Sequence, residues 1–199
     1  GLVGSEMCIR DRFKIPYLYG LTCGELALLL NGEKMLKDGK QCKLQVVKMK
    51  GWKRKMDYTQ TGLQWVPSSP HIPHPHSAFF YPVSGILGEL GYMSIGVGYT
   101  IPFQMFAATW VEAEKLAKSL NSLSVPGVIF RPMYLKPFYS VGKGELLQGV
   151  QVHIMDFSKA PLSEIQFLVM EKVAALYPER AVFDHADKLS LIHISEPTR

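Results

Sequence analysis

Apolar residues repeat at helical spacing in three segments of this chain, and the first of them has a marked start. In TCGELALLLNGEKML, Leu26, Leu29 and Leu30 share one helix face, while Thr22 and Glu25 fit the Thr-x-x-Glu capping box. TWVEAEKLAKSLNSL predicts an amphipathic helix that ends before Val-Pro-Gly, and APLSEIQFLVMEKVAALYP predicts a long helix with proline near its first turn.

Strands are predicted between these helices. QCKLQVVKMK alternates through Leu44, Val46 and Val47, and GVIFRPMYLKP and GVQVHIMD also read as strands. The five glycines of GILGELGYMSIGVG predict short strands joined by tight turns, or a backbone that approaches another segment closely. Because helices and strands interleave, we predict a mixed α/β domain of the α+β class, with strand directions left open.

Residues 61–82, TGLQWVPSSPHIPHPHSAFFYP, fit neither pattern. Proline fixes φ and biases the preceding residue to extended conformations, so Pro67, Pro70, Pro73 and Pro75 argue against a helix or an interior strand. Flexible segments are poor in aromatic residues, and this one has several. We therefore predict an ordered, extended loop that forms the wall of a site.

Composition bounds the class of protein. The chain has 199 residues, of which 47% are hydrophobic, enough for the core of one domain or a large part of two. No apolar run reaches the roughly 18 residues of a membrane span. Residues 1–12 and 189–199 look like translated adapter sequence, so residues 13–188 are treated as the interpretable protein.

The net charge of +5 is concentrated in one short segment around Trp52. Its basic residues are Lys48, Lys50, Lys53, Arg54 and Lys55, and the rest of the chain balances to zero. We interpret the segment as a solvated loop, with contact to an anionic ligand as the alternative. Nucleic-acid binding is not predicted.

Metal and cofactor sites are not predicted either. Residues three apart in an extended proline-rich segment are separated by ~9 Å at ~3.1 Å rise each, so His71 and His74 are too distant to share one ion at bonds of about 2 Å. His76 reaches His74 only through a bend. The three cysteines form no CxxC pair, and no phosphate-binding glycine motif occurs.

Carboxylates and aromatic side chains carry the remaining chemistry. Two carboxyl groups across a cleft cleave a glycosidic bond, one as acid and the other as base or nucleophile. The carboxylate candidates are Glu25, Glu89, Glu145 and Asp156. Flat apolar walls for a sugar are offered by Trp52, Trp65, Phe79, Phe80 and Tyr81. The structural alternatives are that Glu25 only closes its capping box and that the aromatic residues fill a core.

Several stretches together match the motifs of one family. YGLTCGELALLLNGE resembles its Tyr/His-Gly-Met-Thr-x-Gly-Glu helix, VVKMKGWKRKMDY its Met-x-x-Trp-x-Arg segment, and TGLQWVPSSPHIPHPHSAFFYP its Thr-Gly-Leu-x-Trp-x-x-Pro-Ser-Pro-x-Ile-Pro loop. IGVGYTIPFQMFAATWV and GVIFRPMYLKPFYSVGKGELLQGVQVHIMD resemble two further family stretches. The family is the exo-β-N-acetylmuramidases, long catalogued as a domain of unknown function, and the resemblance covers nearly all of residues 14–188.

The resemblance implies a periplasmic or secreted glycosidase that releases N-acetylmuramic acid from peptidoglycan fragments, with a muramyl saccharide as its partner, no cofactor and an oligomeric state left open. It further implies that residues 13–188 are the C-terminal domain of a two-domain enzyme whose Rossmann-like N-terminal half is missing, and that this stretch alone is inactive. By position, the catalytic candidates are Glu25 and Glu89. The substrate-binding candidates are Trp52, Arg54, Trp65, Ser69, Pro70 and His71.

Two departures from the family pattern concern the substrate. LGELG at residues 87–91 stands where many members have Phe-Glu-Gly-Thr-Asn, which shifts the match of Glu89. Val97 replaces the arginine of Gly-Arg-Gly-Thr and removes a bidentate donor for a carboxylate such as the lactyl group of muramic acid. The alternatives are therefore a protein on the same scaffold that binds a glycan without cleaving it, and a structural domain with no site.

Overall fold

The computed structural model describes residues 20–180, which divide into two compact units between Gln64 and Trp65. We call residues 20–64 unit 1 and residues 65–180 unit 2. The adapter-like ends at 1–12 and 189–199 lie outside the described residues.

Unit 1 contains one α-helix, α1 (Cys23–Gly32), and two short 3₁₀ helices, Lys37–Gly39 and Tyr58–Thr61. Thr22 caps α1, because the Glu25 backbone N–H donates to Thr22 Oγ1 at 3.2 Å and the Thr22 N–H donates to Glu25 Oε2 at 2.8 Å. The helix and the capping box predicted from the sequence are confirmed.

The strand predicted at QCKLQVVKMK is wrong, because none of these residues belongs to a strand. A strand needs a neighbour for its backbone groups, and none occurs among the described residues of unit 1. Asn31 holds part of the segment instead: its side-chain oxygen accepts from the Cys42 N–H at 2.8 Å, and its amide nitrogen donates to the Cys42 carbonyl at 3.0 Å. Val47, predicted on the strand, is 89% exposed.

Unit 2 contains α2 (Ser77–Glu89), β1 (Met105–Ala108), α3 (Ala113–Asn121), β2 (Val128–Leu135), β3 (Leu147–Ile154) and α4 (Ile165–Leu176). The strands form an antiparallel sheet in the order β1-β3-β2. The mixed α+β class is confirmed, as are the two strands and two helices predicted between Thr109 and Pro178. The last helix begins at Ile165, four residues after the proline expected in its first turn.

The sheet separates two apolar clusters, because residues paired across an antiparallel ladder point to the same face. Phe106, Val150 and Phe130 belong to the larger cluster, together with buried residues of α2, α3 and α4. The smaller cluster, on the other face, is formed by Met105, Ala107, Leu135 and Leu147. The helices are therefore packed on one side of the sheet, where most of the core lies.

The proline-rich stretch is irregular between Gly62 and His76, as predicted, but the loop prediction is wrong from Ser77 onward, where α2 begins and runs through Pro82. A proline inside a helix removes one hydrogen bond at a cost of about 3 kcal/mol. Gln166 on α4 holds the turn that follows Pro82, because its buried side chain donates to the Pro82 carbonyl at 2.9 Å and accepts from the Ile86 N–H at 3.0 Å. A regular helix would pair those two groups with each other, so a long-range contact sustains the helix.

The glycine-rich segment contains none of the predicted strands. Its first residues belong to α2, and Ser94 forms an isolated bridge with Ala107. The alternative prediction, a close approach of backbone, is confirmed at Gly98, which has a φ of +91°. A Cβ at Gly98 would lie 1.9 Å from the carbonyl oxygen of Tyr139, so only glycine fits here without displacing the backbone.

Candidate functional site

In unit 1, the structure brings together three residues predicted for the site. Arg54 Nη2 donates to Glu25 Oε1, and Arg54 Nη1 donates to the Gly20 carbonyl at 2.9 Å. The guanidinium also lies over the ring of Trp52, 5.7 Å from the ring centroid. The basic segment is thus exposed, as predicted, but one of its side chains is fixed by a carboxylate, a carbonyl and an aromatic ring.

Hydrogen bonds hold Glu25 in its ionised form. The backbone N–H of Thr22 is the largest influence that lowers the pKa of the Glu25 carboxyl, followed by the Thr22 hydroxyl contact and Arg54. The Glu25 side chain is 38% exposed and therefore accessible to a ligand. A general acid needs a raised pKa, whereas an ionised carboxylate suits a base, a nucleophile or a group that stabilises positive charge.

In unit 2, Ser69 and Pro70 shape a turn that presents His71. The Ile72 N–H donates to the Ser69 carbonyl at 3.0 Å, and the His71 N–H donates to Ser69 Oγ at 3.2 Å. Proline is favoured at the second position of such a turn because its φ is already set. His71 Nε2 lies 2.8 Å from the hydroxyl of Tyr139, a residue that the sequence did not single out.

His71 lines a pocket of about 330 Å³ in unit 2, whose other lining residues include Glu89, Ser94, Val97 and Ser140. Two of the residues predicted for the site, His71 and Glu89, are therefore found at one cavity. Glu89 is the last residue of α2 and is exposed. We call this cavity the unit 2 pocket.

Two residues of the unit 2 pocket have a strained backbone conformation. Phe103 and Ser140 both line it and have φ values of +68° and +67°, in the region that disfavours side chains. Such conformations cost about 1–3 kcal/mol each and are found preferentially at active and ligand-binding sites. The Ser84 hydroxyl, fully buried, donates to the Phe103 carbonyl at 2.9 Å and helps to hold the conformation.

The charge of the unit 2 pocket is set by Glu89. Among the described residues that line it, Glu89 is the one acidic residue, and none is lysine or arginine. Val97, at the position where many family members have arginine, is on its wall and half-buried. The hydroxyl of Ser94, a residue 2% exposed, has no hydrogen-bond partner among the described residues. The pocket therefore offers a carboxyl group and other polar side chains, but no lysine or arginine, to a ligand.

Tyr81, one of the aromatic candidates, also lines this pocket, whereas the candidates Trp65, Pro70, Glu145 and Asp156 do not. Trp65 is half-buried and Pro70 is exposed. Glu145 is exposed, in the connection between β2 and β3. Asp156 is engaged locally, because it accepts from the Ser158 hydroxyl at 2.6 Å and pairs with Lys159 at 3.1 Å; the Ser158 hydroxyl is the main reason that its pKa is lowered. A structural role accounts for Asp156.

Sequence reasoning missed three residues with polar side chains at or beside the pocket: Ser94, Tyr139 and Ser140. Ser94 and Ser140 have no motif of their own. Tyr139 could have been noticed from its position in PFYS, directly after a predicted strand. An aromatic residue in a connection between strands does not fill the core, so it is a candidate for binding a ligand. His74 and His76 also do not line the pocket.

No three of the histidine, cysteine, aspartate and glutamate side chains within residues 20–180 are placed to hold one metal ion. The absence of metal at His71, His74 and His76 stays a prediction. In the same range, no helix combines the length and apolar character needed to cross a bilayer.

Comparison with protein families gives two adjacent matches. The model described as "Exo-beta-N-acetylmuramidase NamZ, N-terminal" matches residues 7–76, and "Exo-beta-N-acetylmuramidase NamZ, C-terminal" matches residues 79–195. The expectation that the N-terminal half is missing is therefore not confirmed. The two family models meet just before α2, whereas the compact units divide between Gln64 and Trp65.

Two relatives are similar to this chain over most of its length. "Peptidoglycan beta-N-acetylmuramidase NamZ" of Bacillus subtilis (strain 168) is 40% identical over 167 residues, which are 84% of this chain and 39% of that protein. A crystal structure of a DUF1343 family protein from Bacteroides fragilis NCTC 9343 is 83% identical, with a TM-score of 0.82, over 88% of this chain and 45% of that chain. The present chain thus spans less than half the length of both relatives.

Proposed function

Because the chain belongs to the exo-β-N-acetylmuramidase NamZ family, we propose that it is part of a glycoside hydrolase that releases N-acetylmuramic acid from peptidoglycan fragments. Its substrate is a muramyl saccharide, and its place of action is the periplasm or the cell exterior, where peptidoglycan fragments are formed. The relative from Bacillus subtilis, named for this activity, supports the proposal.

The observation that carries the proposal within this chain is the ionised carboxylate of Glu25. Both of its oxygens accept hydrogen bonds, one from the Thr22 backbone and one from Arg54, so the charge and the orientation of the carboxylate are fixed before a ligand arrives. A fixed, ionised carboxylate serves glycoside hydrolysis as the base or nucleophile, or as the group that stabilises the oxocarbenium-like transition state. We assign one of these roles to Glu25, rather than that of the acid.

Glu89 is the second carboxylate that we propose for the reaction. It stands at the C-terminal end of α2 and lines the unit 2 pocket, whose described lining has no lysine or arginine. Hydrolysis needs a group that protonates the leaving oxygen, and a carboxyl group is the usual one. Trp52, Arg54 and His71 are proposed as substrate-binding residues, and Ser69 and Pro70 as residues that position His71.

The test uses the full-length protein and a chromogenic β-glycoside of N-acetylmuramic acid. Glu25→Gln should lower kcat by about 10²-fold or more, since acid–base groups contribute about 10²–10⁴-fold. Glutamine preserves the side-chain oxygen that accepts from Thr22, so α1 should keep its cap. Glu33→Gln, an exposed glutamate just after α1, is the matched control and should leave kcat unchanged.

Two results would contradict the assignment. A loss below tenfold in Glu25→Gln, with unchanged unfolding, would leave Glu25 a capping residue only. A full-length protein that binds the glycoside without releasing the chromophore would favour the alternative, a glycan-binding protein on the same scaffold. Two observations favour that alternative. Valine stands at position 97 in place of an arginine, and the described lining of the unit 2 pocket has no lysine or arginine.

A further inference from the structure

The connection between β2 and β3, residues 136–146, places an exposed tyrosine beside the unit 2 pocket. Ser140 and Val141 of this connection line the pocket, and the preceding residue, Tyr139, is 46% exposed. The Tyr139 hydroxyl lies 2.8 Å from Nε2 of His71, and the two ring centroids are 5.9 Å apart. The tyrosine ring is thus fixed at the rim of the pocket by a polar contact while much of its surface faces solvent.

The backbone around Tyr139 is held by several contacts. The Phe138 N–H donates to the Gly98 carbonyl at 2.8 Å, and Gly98 packs against the Tyr139 carbonyl as closely as a glycine permits. Further along, the Gly144 N–H donates to the Pro137 carbonyl at 2.9 Å. A ring held in this way loses little freedom when a ligand binds, which favours affinity.

The chemistry of this region selects an uncharged polar ligand. Glu89 offers its oxygen atoms to hydroxyl or amide groups, and the described lining has no lysine or arginine to attract a carboxylate. An aromatic ring next to such groups matches a pyranose, which has an apolar face and a rim of hydroxyls.

We propose that the unit 2 pocket and the Tyr139 ring form a subsite for an uncharged N-acetylhexosamine ring, with Tyr139 as a binding residue that packs against the sugar face. Peptidoglycan alternates N-acetylmuramic acid, which has a lactyl carboxylate, with uncharged N-acetylglucosamine. The inference rests on the proposed function and adds to it: this pocket takes the N-acetylglucosamine residue of the fragment rather than the muramic acid.

The test measures binding to the 199-residue chain, without any cleavage step. Methyl β-N-acetylglucosaminide and methyl β-N-acetylmuraminide are titrated separately, and dissociation constants are obtained from ligand-observed NMR. The uncharged glycoside should bind at least about threefold more tightly, because the described lining has no lysine or arginine to offset the desolvation of the lactyl carboxylate. Tyr139→Ala should weaken its binding about tenfold, whereas Tyr139→Phe, which keeps the ring, should stay within about threefold of the wild type.

Two further variants test whether the effect is specific to Tyr139 and to the charge of the pocket. Tyr134→Ala removes another exposed tyrosine, on β2 and 54% exposed, and should leave binding unchanged. Val97→Arg places a cation on the pocket wall and should reverse the preference toward the muraminide, a gain that no unfolded variant can produce. Circular dichroism melts of all variants show that they remain folded.

The proposal is overturned if the wild type prefers the muraminide, if it binds neither glycoside, or if Tyr139→Ala binds as well as the wild type. Equal losses in Tyr139→Phe and Tyr139→Ala would also overturn it, since the ring would then not carry the contact. Failure of the proposed hydrolysis has a different signature. A full-length protein that is inactive while this chain still binds the uncharged glycoside through Tyr139 contradicts the enzymatic activity and leaves the subsite in place.

Discussion

Units 1 and 2 are ordered by different forces. Among the described residues of unit 1, Leu26 is the one buried side chain, and polar contacts such as the Thr22 cap, the Asn31 bridge and the Glu25–Arg54 pair hold the chain. Unit 2 has two apolar clusters, one on each face of an antiparallel sheet. Hydrogen bonds contribute about 1 kcal/mol each in net terms, whereas a fully buried apolar side chain contributes about 1.5–3 kcal/mol.

This difference decides how substitutions in the two units should be interpreted. A polar change in unit 1 removes one local contact and leaves no cavity, so its effect on activity is separable from its effect on stability. A change in the core of unit 2 alters the stability of the whole unit and moves the pocket residues with it. Glu25 is therefore a better subject for kinetic tests than any buried residue near Glu89.

The largest expected effect on stability is in the core of unit 2. Phe106 on β1 is fully buried, and Phe106→Ala should lower the free energy of unfolding by about 3–5 kcal/mol through lost burial and a cavity. Phe167→Ala on α4 is the matched control, because that ring is 51% exposed, and its cost should stay below about 1 kcal/mol. Urea unfolding followed by circular dichroism measures both, and equal losses would show that Phe106 is not part of a packed core.

A glycine from each unit gives a sharper comparison of intermediate size. A Cβ at Gly149 on β3 would lie 2.0 Å from the Phe106 carbonyl oxygen, and backbone cannot yield, so Gly149→Ala should cost about 1–3 kcal/mol. A Cβ at Gly24 in α1 would meet Val46 Cγ1 at 2.6 Å, which is the end of a side chain that can rotate away.

Gly24→Ala should therefore change the stability by less than about 1 kcal/mol, and the higher helix propensity of alanine offsets part of the crowding. Hydrogen exchange of the amides in α1 and in β3 reports the two units separately. A larger loss of protection for Gly24→Ala than for Gly149→Ala would mean that unit 1 is packed as tightly as the sheet.

The same contrast explains which elements could be predicted from the sequence. Two predictions rested on local patterns: the capping box of Thr22 and Glu25, and a helix within residues 109–123. Both are present in the structure. The strand at 41–50 failed, since alternation describes a strand only when a neighbouring strand is present. The start of α2 was missed, because proline argues against a helix interior, and the turn after Pro82 is held by Gln166, 84 residues further along the chain.

The candidate site divides in a similar way. Residues that belong to local motifs, such as Glu25, Arg54 and His71, could be identified from the sequence and are found in specific contacts. Ser94 could not, because it is placed by its bridge with Ala107, and no sequence pattern joins Tyr139 to His71, 68 residues earlier in the chain. Their spacing in the chain has no relation to their spacing in the fold.

The smallest expected effect concerns the pH dependence of stability. The two units should lose stability in different pH ranges. Hydrogen bonds lower the pKa of Glu25, so its stabilising contribution is complete above the ordinary carboxyl pKa of 4.5 and is lost as pH falls through the lowered value. Burial, and after it Arg131, lowers the pKa of His153 on β3, whose Nε2 is buried without a partner among the described residues. The unfolded chain takes up this proton near the ordinary pKa of 6.5 while the folded chain resists it, so stability is lost as pH falls below that value.

Mild acid should therefore weaken unit 2 first, and unit 1 only at a lower pH. Urea midpoints at about pH 7.5 and about pH 5.5 should differ in the wild type and converge in His153→Gln, which has no titrating group at this position. Glu25→Gln should leave that interval unchanged and flatten only the response below about pH 4.5. If His153→Gln keeps the full difference between the two midpoints, another group controls the mild-acid response, and burial on β3 does not set the pH limit of unit 2.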